Sequence, residues 1–268
     1  MFPLMFWLPG FPQTLRANKF IESHLISEHM KKIALMQPYF MPYVGYFSLI
    51  HAVDEFYLFE EPQFTSPSYM HRNQLPNANG KGLFYIRVAT NPRALKTSIR
   101  DITIPLDRPW KEVLIRQLIS TYGSCRYGHK KESLLVIEEI LSPDISNFTL
   151  FIQHATKIIA AYLGVETRIS IAPPTMFNHA QCNSPSDWAI TFCEHLSEPA
   201  QFVNAIGGRK FLEKESFHHL GCELQFIEHD CVRNSIENEL VSIIHLMMTM
   251  PKPKLQERIS AYLWVEPR

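Results

Sequence analysis

Apolar and polar positions follow two periods along this chain. Ile33-Ala34-Leu35-Met36 is a short unbroken apolar run, the pattern of a strand buried on both faces, and the following Pro38 cannot donate to a ladder. Apolar positions resume at Phe47, Leu49, Ile50, Ala52 and Val53, a spacing that predicts a helix beginning near Gly45. Residues 55–61, EFYLFEE, are aromatic and β-prone and predict a second strand, parallel to the first if the helix between them is a right-handed crossover. The turn-forming NANGKG at 77–82 predicts a hairpin-like entry into 83–88. Alternation over 99–106, ending near Pro105, predicts an edge or antiparallel strand.

Helical spacing then dominates. Amphipathic helices are expected over 110–122, 134–141 and 148–163, the last stopped by Gly164. Short strands are expected at 168–171, 201–204 and 222–228, a helix capped by Ser184 or Ser186 lies between the first two, and a closing helix covers 240–248. The order predicts an α/β fold: a Rossmann-like, mostly parallel sheet with an added helical block at about 108–163 and antiparallel edge strands. One domain is expected over 31–250, with residues 251–268 as a tail. Residues 1–30 read as an N-terminal extension, with translation expected to start at Met30.

In open α/β sheets a ligand sits beyond the carboxyl ends of strands, against the amide-rich start of a following helix. The loop after the first strand is therefore the first candidate site. It concentrates Gln37, Tyr39, Tyr43, Gly45 and Tyr46 within ten residues. The loop after the second strand carries Gln63, His71, Arg72 and Asn73. If the two strands are parallel neighbours, both loops open on one sheet edge and these side chains converge. Further along, Asn204 and Gly207-Gly208-Arg209 form a third candidate, because glycines let backbone amides approach a ligand and Arg209 offsets its charge.

Composition narrows the chemistry. Twenty-six basic and 26 acidic residues leave no net charge, which disfavours a generic phosphate-neutralising nucleic-acid binder. The apolar start of the chain is broken by Pro3, Pro9, Gly10 and Pro12 well short of a membrane span. Five cysteines without CxxC spacing read as free thiols in a cytoplasmic setting. The 12 histidines include no HxxxH or HExxH, so no metal is expected. GxSxG, Walker and GxGxxG motifs are absent, no cofactor is expected, and a pairing of Cys182 with His179 is the remaining nucleophile candidate.

The run QPYFMPYVGYF at 37–47 resembles the opening signature of the WbqC-like family of bacterial proteins, associated with O-antigen and other surface-polysaccharide gene clusters. The resemblance continues through Asp54-Glu55-Phe56, Gln63-Phe64, His71-Arg72-Asn73, ITIPL at 102–106 and FVNAIGG at 202–208. It implies a cytoplasmic transferase acting on an activated sugar or glycan precursor, by acyl or aminoacyl transfer. The expected partners are a sugar or nucleotide-sugar substrate and an acyl-carrier or thioester donor. His71 is then the expected general base, Arg72 and Arg209 clamp phosphate or carboxylate, and Gln37, Gln63 and Asn73 orient hydroxyls. Two alternatives stand beside it: a non-catalytic nucleotide-sugar-binding accessory protein, and a scaffold of a glycan-assembly complex. The strand-loop-helix layout is also similar to that of the nucleotidylyltransferase superfamily. Tyr43-Val44-Gly45-Tyr46 occupies the place of its HxGH-type motif, with tyrosine at both histidine places, so the likeness implies a degenerate, nucleotide-binding form.

Overall fold

The structure, a computed structural model, describes residues 30–65, 68–78, 81–91, 97–123 and 130–268. The expected extension, Ser66, the tip of the NANGKG turn and Cys125 lie outside the described residues. Residues Lys31–Arg268 form one compact unit.

Strand β1 (Lys31–Met36) sits inside a six-stranded sheet. It pairs in parallel with β2 (Glu55–Leu58) on one side and with β6 (Ala200–Ala205) on the other. Beyond β2 lies β5 (Arg168–Ile171), parallel, and beyond β6 lies β7 (Glu223–His229), also parallel. The last strand, β8 (Tyr262–Val265), runs antiparallel to β7 and closes that edge. Residues 251–268, expected as a tail, are therefore structural: helix α9 (Lys252–Ile259) packs on the body and β8 completes the sheet.

Alternation decides which face each side chain serves. Ile33 and Leu35 of β1, Phe202 of β6 and Phe226 of β7 belong to one apolar layer, with α5 (Pro185–Glu194) and α6 (Lys214–His218). Ala34 of β1, Phe56 and Leu58 of β2 and Val203 of β6 belong to the other. That second layer is covered by α1 (Val44–His51), α4 (Phe148–Leu163) and α8 (Ile243–Thr249). Each fully buried phenylalanine contributes about 1.5–3 kcal/mol, so Phe56, Phe202 and Phe226 hold both layers to the sheet.

The helical block is α2 (Trp110–Tyr122), α3 (Lys130–Leu141) and α4. The Asn147 side chain accepts from Leu150 N at 2.8 Å to start α4, and Gly164 at φ 77° ends it in the left-handed region expected of a glycine. A separate hairpin pairs β3 (Arg72–Pro76) with β4 (Leu83–Arg87), so the segment expected as open loop at 71–73 is partly strand.

The strand expected over 99–106 does not form. Residues Ile99–Asp101 make a 3-10 turn, and strand-like pairing shrinks to a single bridge between Thr103 and Asn147. The apolar alternation is real, since Ile99, Ile102 and Ile104 are all buried. Its neighbour, however, is the extended lead-in to α4, too short to sustain a ladder.

Candidate functional site

The strand order places the sheet's switch point between β1 and β6, where the chain's connections leave in opposite directions. A cavity of about 570 Å³ opens there, at the carboxyl ends of both strands, within the usual range for a small-molecule site. Leu35, Met36, Gln37 and Tyr39 supply its β1 side. Asn204, Ala205, Gly207, Gly208 and Phe211 supply the β6 side. The remaining wall is the approach to α5, residues Cys182 to Pro185 with Trp188 and Ala189, and Phe59 and Pro62 close the β2 side. None of these lining side chains is Asp, Glu, Lys, Arg or His.

The β1 side is rigid by construction. Tyr46 is buried, and its hydroxyl donates to Gln37 O at 2.9 Å, which fixes the backbone just where the strand ends. Tyr39 donates to Gln37 Oε1 at 3.3 Å, and both side chains belong to residues that line the cavity. A Cβ on Gly45 would sit 2.4 Å from the Tyr43 ring, so a larger residue there would have to displace that side chain. Burial raises the Tyr39, Tyr43 and Tyr46 hydroxyls, Tyr43 to about 12 with Cys231 and Tyr39 nearby adding to it, so all three remain neutral phenols.

On the β6 side, Asn204 Oδ1 accepts from Ala205 N at 2.7 Å. Gly208 makes room for the same amide, since a Cβ there would lie 3.0 Å from Asn204 Nδ2. A Cβ on Gly207 would meet nothing within 4 Å. The α5 wall begins with a capping box: Ser184 Oγ accepts from Asp187 N, and Asp187 Oδ2 accepts from Asn183 N at 2.8 Å and Ser184 N at 2.7 Å. The start of α5 thus already holds a carboxylate. Trp188, one turn in, packs edge-on against Phe59 at 5.3 Å and Phe177 at 5.8 Å.

The expected convergence on one cavity is not seen for the predicted residues of the second loop. The two loops do touch: Phe40 N donates to Met70 O at 2.9 Å, and Asn73 Nδ2 donates to Phe40 O at 3.2 Å and Met41 O at 2.8 Å. Gln37, Tyr39, Asn204, Gly207 and Gly208 line the cavity, whereas Gln63, His71, Arg72, Asn73 and Arg209 do not, nor do Tyr43, Gly45 and Tyr46. Asn73 is buried and spent on the loop. It helps hold Met41, a non-glycine residue at φ 45°, together with Ser242 Oγ, which donates to Met41 O at 2.7 Å. Arg72 lies 4.4 Å over the Tyr85 ring of the hairpin. His71 packs its ring 5.4 Å from Phe64, and burial, then the charges of Arg72 and Arg87, hold its imidazole below the usual range. Gln63 is exposed and bridges Ser98.

The Cys182–His179 pairing is corrected as well. Cys182 Sγ donates to Asn178 O at 3.2 Å, burial raises its thiol, and His179 Nε2 instead meets Glu61 Oε2 at 2.8 Å. At the end of β7, where α7 (Asp230–Arg233) begins, His229, Cys231 and Glu239 approach one another, and His229 and Glu239 already have partners outside the cluster. His229 Nε2 meets Arg258 O at 2.8 Å, its Nδ1 accepts from Cys231 N at 3.0 Å, and Glu239 pairs with Arg258.

Phe59, Asn183, Ser184, Trp188 and Phe211 were not expected at the site. The available signal was a polar loop at 178–184 followed at once by a capped helix carrying a tryptophan in its first turn, on the far side of the β1–β6 boundary.

Residues 37–257 match the family model described as the WbqC-like protein family. An uncharacterised protein of Mycobacterium tuberculosis, Rv1507c, is 23% identical over 206 residues, covering 76% of this chain and 85% of that protein. No solved structure matches.

Proposed function

The chain belongs to the WbqC-like protein family, and on that premise we propose that it is a cytoplasmic transferase acting on an activated sugar or glycan precursor. One observation carries the reading: a cavity at the β1–β6 switch point whose lining combines aromatic faces with amide side chains and no ionic group. Trp188, Phe59 and Tyr39 offer flat apolar surface. Gln37, Asn183 and Asn204 offer donors and acceptors suited to hydroxyl and acetamido groups. Such a lining favours a neutral polar ring over a naked phosphate, and Asp187 at the start of α5 points the same way. Any charged part of the substrate would lie outside the cavity, toward Arg209, the neighbour of the lining Gly208.

A non-catalytic ligand-binding role is the second reading, and it is favoured by the lining itself, whose phenol Tyr39 and thiol Cys182 are both raised by burial. No helix among the described residues is long and apolar enough to cross a membrane.

The test is a fluorescence titration of the protein and its Trp188→Phe variant with UDP-N-acetylglucosamine, dTDP-glucose and acetyl-coenzyme A. Mixtures of the three are followed by mass spectrometry for product. Saturable quenching that depends on Trp188 supports the site, and a new acylated or glycosylated mass supports transfer. A protein that responds to none of the three overturns the reading.

A further inference from the structure

Beside the cavity, on its β2 side, lies a cluster that the proposed function does not use. The Glu61 side chain is almost fully buried, at 2% exposure, three residues past the end of β2. Its two oxygens face different partners. Oε1 is ion-paired with Arg100, which also reaches Glu60 Oε1 at 3.5 Å, and Oε2 receives His179 Nε2 at 2.8 Å. The His179 ring is 57% exposed and stands edge-on to Trp188, with ring centroids 5.3 Å apart. Pro62 and Trp188, the neighbours of the two partners, both line the cavity. The dyad therefore adjoins residues of the cavity wall, with Glu61 buried and His179 largely in solvent.

A carboxylate on one ring nitrogen favours the tautomer that carries its proton there and its lone pair on the other nitrogen, the arrangement by which an acid residue orients an imidazole base. Arg100 sets a positive charge against Glu61 in its buried place, and the backbone at His179 is tied within its own loop by Cys182 N, which donates to His179 O at 3.4 Å.

We infer that His179 Nδ1 is the acid–base group serving this cavity, with Glu61 as its positioning residue. The acceptor is a hydroxyl or amine of the bound ligand, whose proton passes to Nδ1. This moves the base role from His71, which packs against Phe64 away from the cavity. The inference rests on the proposed function for the nature of the ligand and on geometry alone for the dyad.

Iodoacetamide at neutral pH tests the dyad without any ligand. Alkylation is mapped by peptide mass spectrometry, with exposed His218 and His219 as internal references. The expected result is labelling of His179 on Nδ1 about tenfold faster than either reference. That preference falls to the reference rate in Glu61→Gln and returns in part in Glu61→Asp. His179 labelled no faster than the references, or equally fast in Glu61→Gln, overturns the inference. Thermal melts confirm that the variants are folded, and if Glu61→Gln is not, His179→Gln against wild type reports whether the labelled site is His179 at all. Adding UDP-N-acetylglucosamine separates the two proposals: preferential labelling that the sugar nucleotide does not slow leaves the dyad standing and removes the sugar ligand.

Discussion

The loop after β1 and the segment that leads into β3 are in direct contact, and both are rich in polar side chains, yet they do opposite work. Gln37 and Tyr39 present their groups to the cavity at the switch point. Asn73, two residues from His71, turns inward and donates to two carbonyls of the neighbouring loop, while its own oxygen accepts from Gln74 N at 2.8 Å. The lesson is one of satisfaction. A buried amide whose capacity is used by backbone is a structural tie, and an amide left half-satisfied at a strand end is available to a ligand. The strained Met41 between them shows why the tie is needed: a left-handed non-glycine residue persists only where its surroundings over-determine it.

The largest effect expected from this comparison is on stability. Asn73→Leu leaves Phe40 O and Gln74 N without their partner in a buried place and should cost about 2–4 kcal/mol, read as a lower urea midpoint. Unchanged stability would mean that the loop does not depend on this tie. The converse substitution is Trp188→Ala, expected to weaken binding of the cavity ligand about tenfold or more while shifting the melting temperature little. A variant that loses stability instead would place Trp188 with the core rather than with the site.

Gly164→Ala sharpens the contrast from outside both regions. At φ 77°, with Gln256 Nε2 only 2.7 Å from the added Cβ, it should cost about 1–2 kcal/mol without touching ligand binding. The pH dependence follows from His51, His71, His229 and His245, all held below the usual imidazole range chiefly by burial. Each binds a proton more weakly folded than unfolded. Their contribution is therefore complete above an unfolded value of about 6.5 and is lost as pH falls below it. Urea midpoints should decline between pH 7 and 5, before the carboxylates Glu55 and Asp187, which are lowered, begin to contribute their own loss. His245→Gln, whose ring now meets Tyr122 Oη at 3.0 Å, should flatten that slope. The smallest effect belongs to His71→Ala, expected to leave cavity binding unchanged. A loss there would return the site to the segment before the hairpin.

Much of this molecule is written in local pattern. The apolar run at 33–36, the helical spacing after Gly45 and the helix stop at Gly164 each depend on neighbours a few residues away, so periodicity and turn chemistry suffice to place them. The parallel pairing of β1 with β2 follows from the handedness of a short crossover. What periodicity does not carry is which strand lies on the other side of β1. That neighbour is β6, more than 160 residues later in the chain, and it brings Asn204, Gly207 and the α5 wall to the cavity. Polar residue types read alike whether they tie a loop or meet a ligand. Only the tertiary structure decides between those uses, because the decision depends on whether a buried backbone group lies within hydrogen-bond reach, and such partners come from distant parts of the chain.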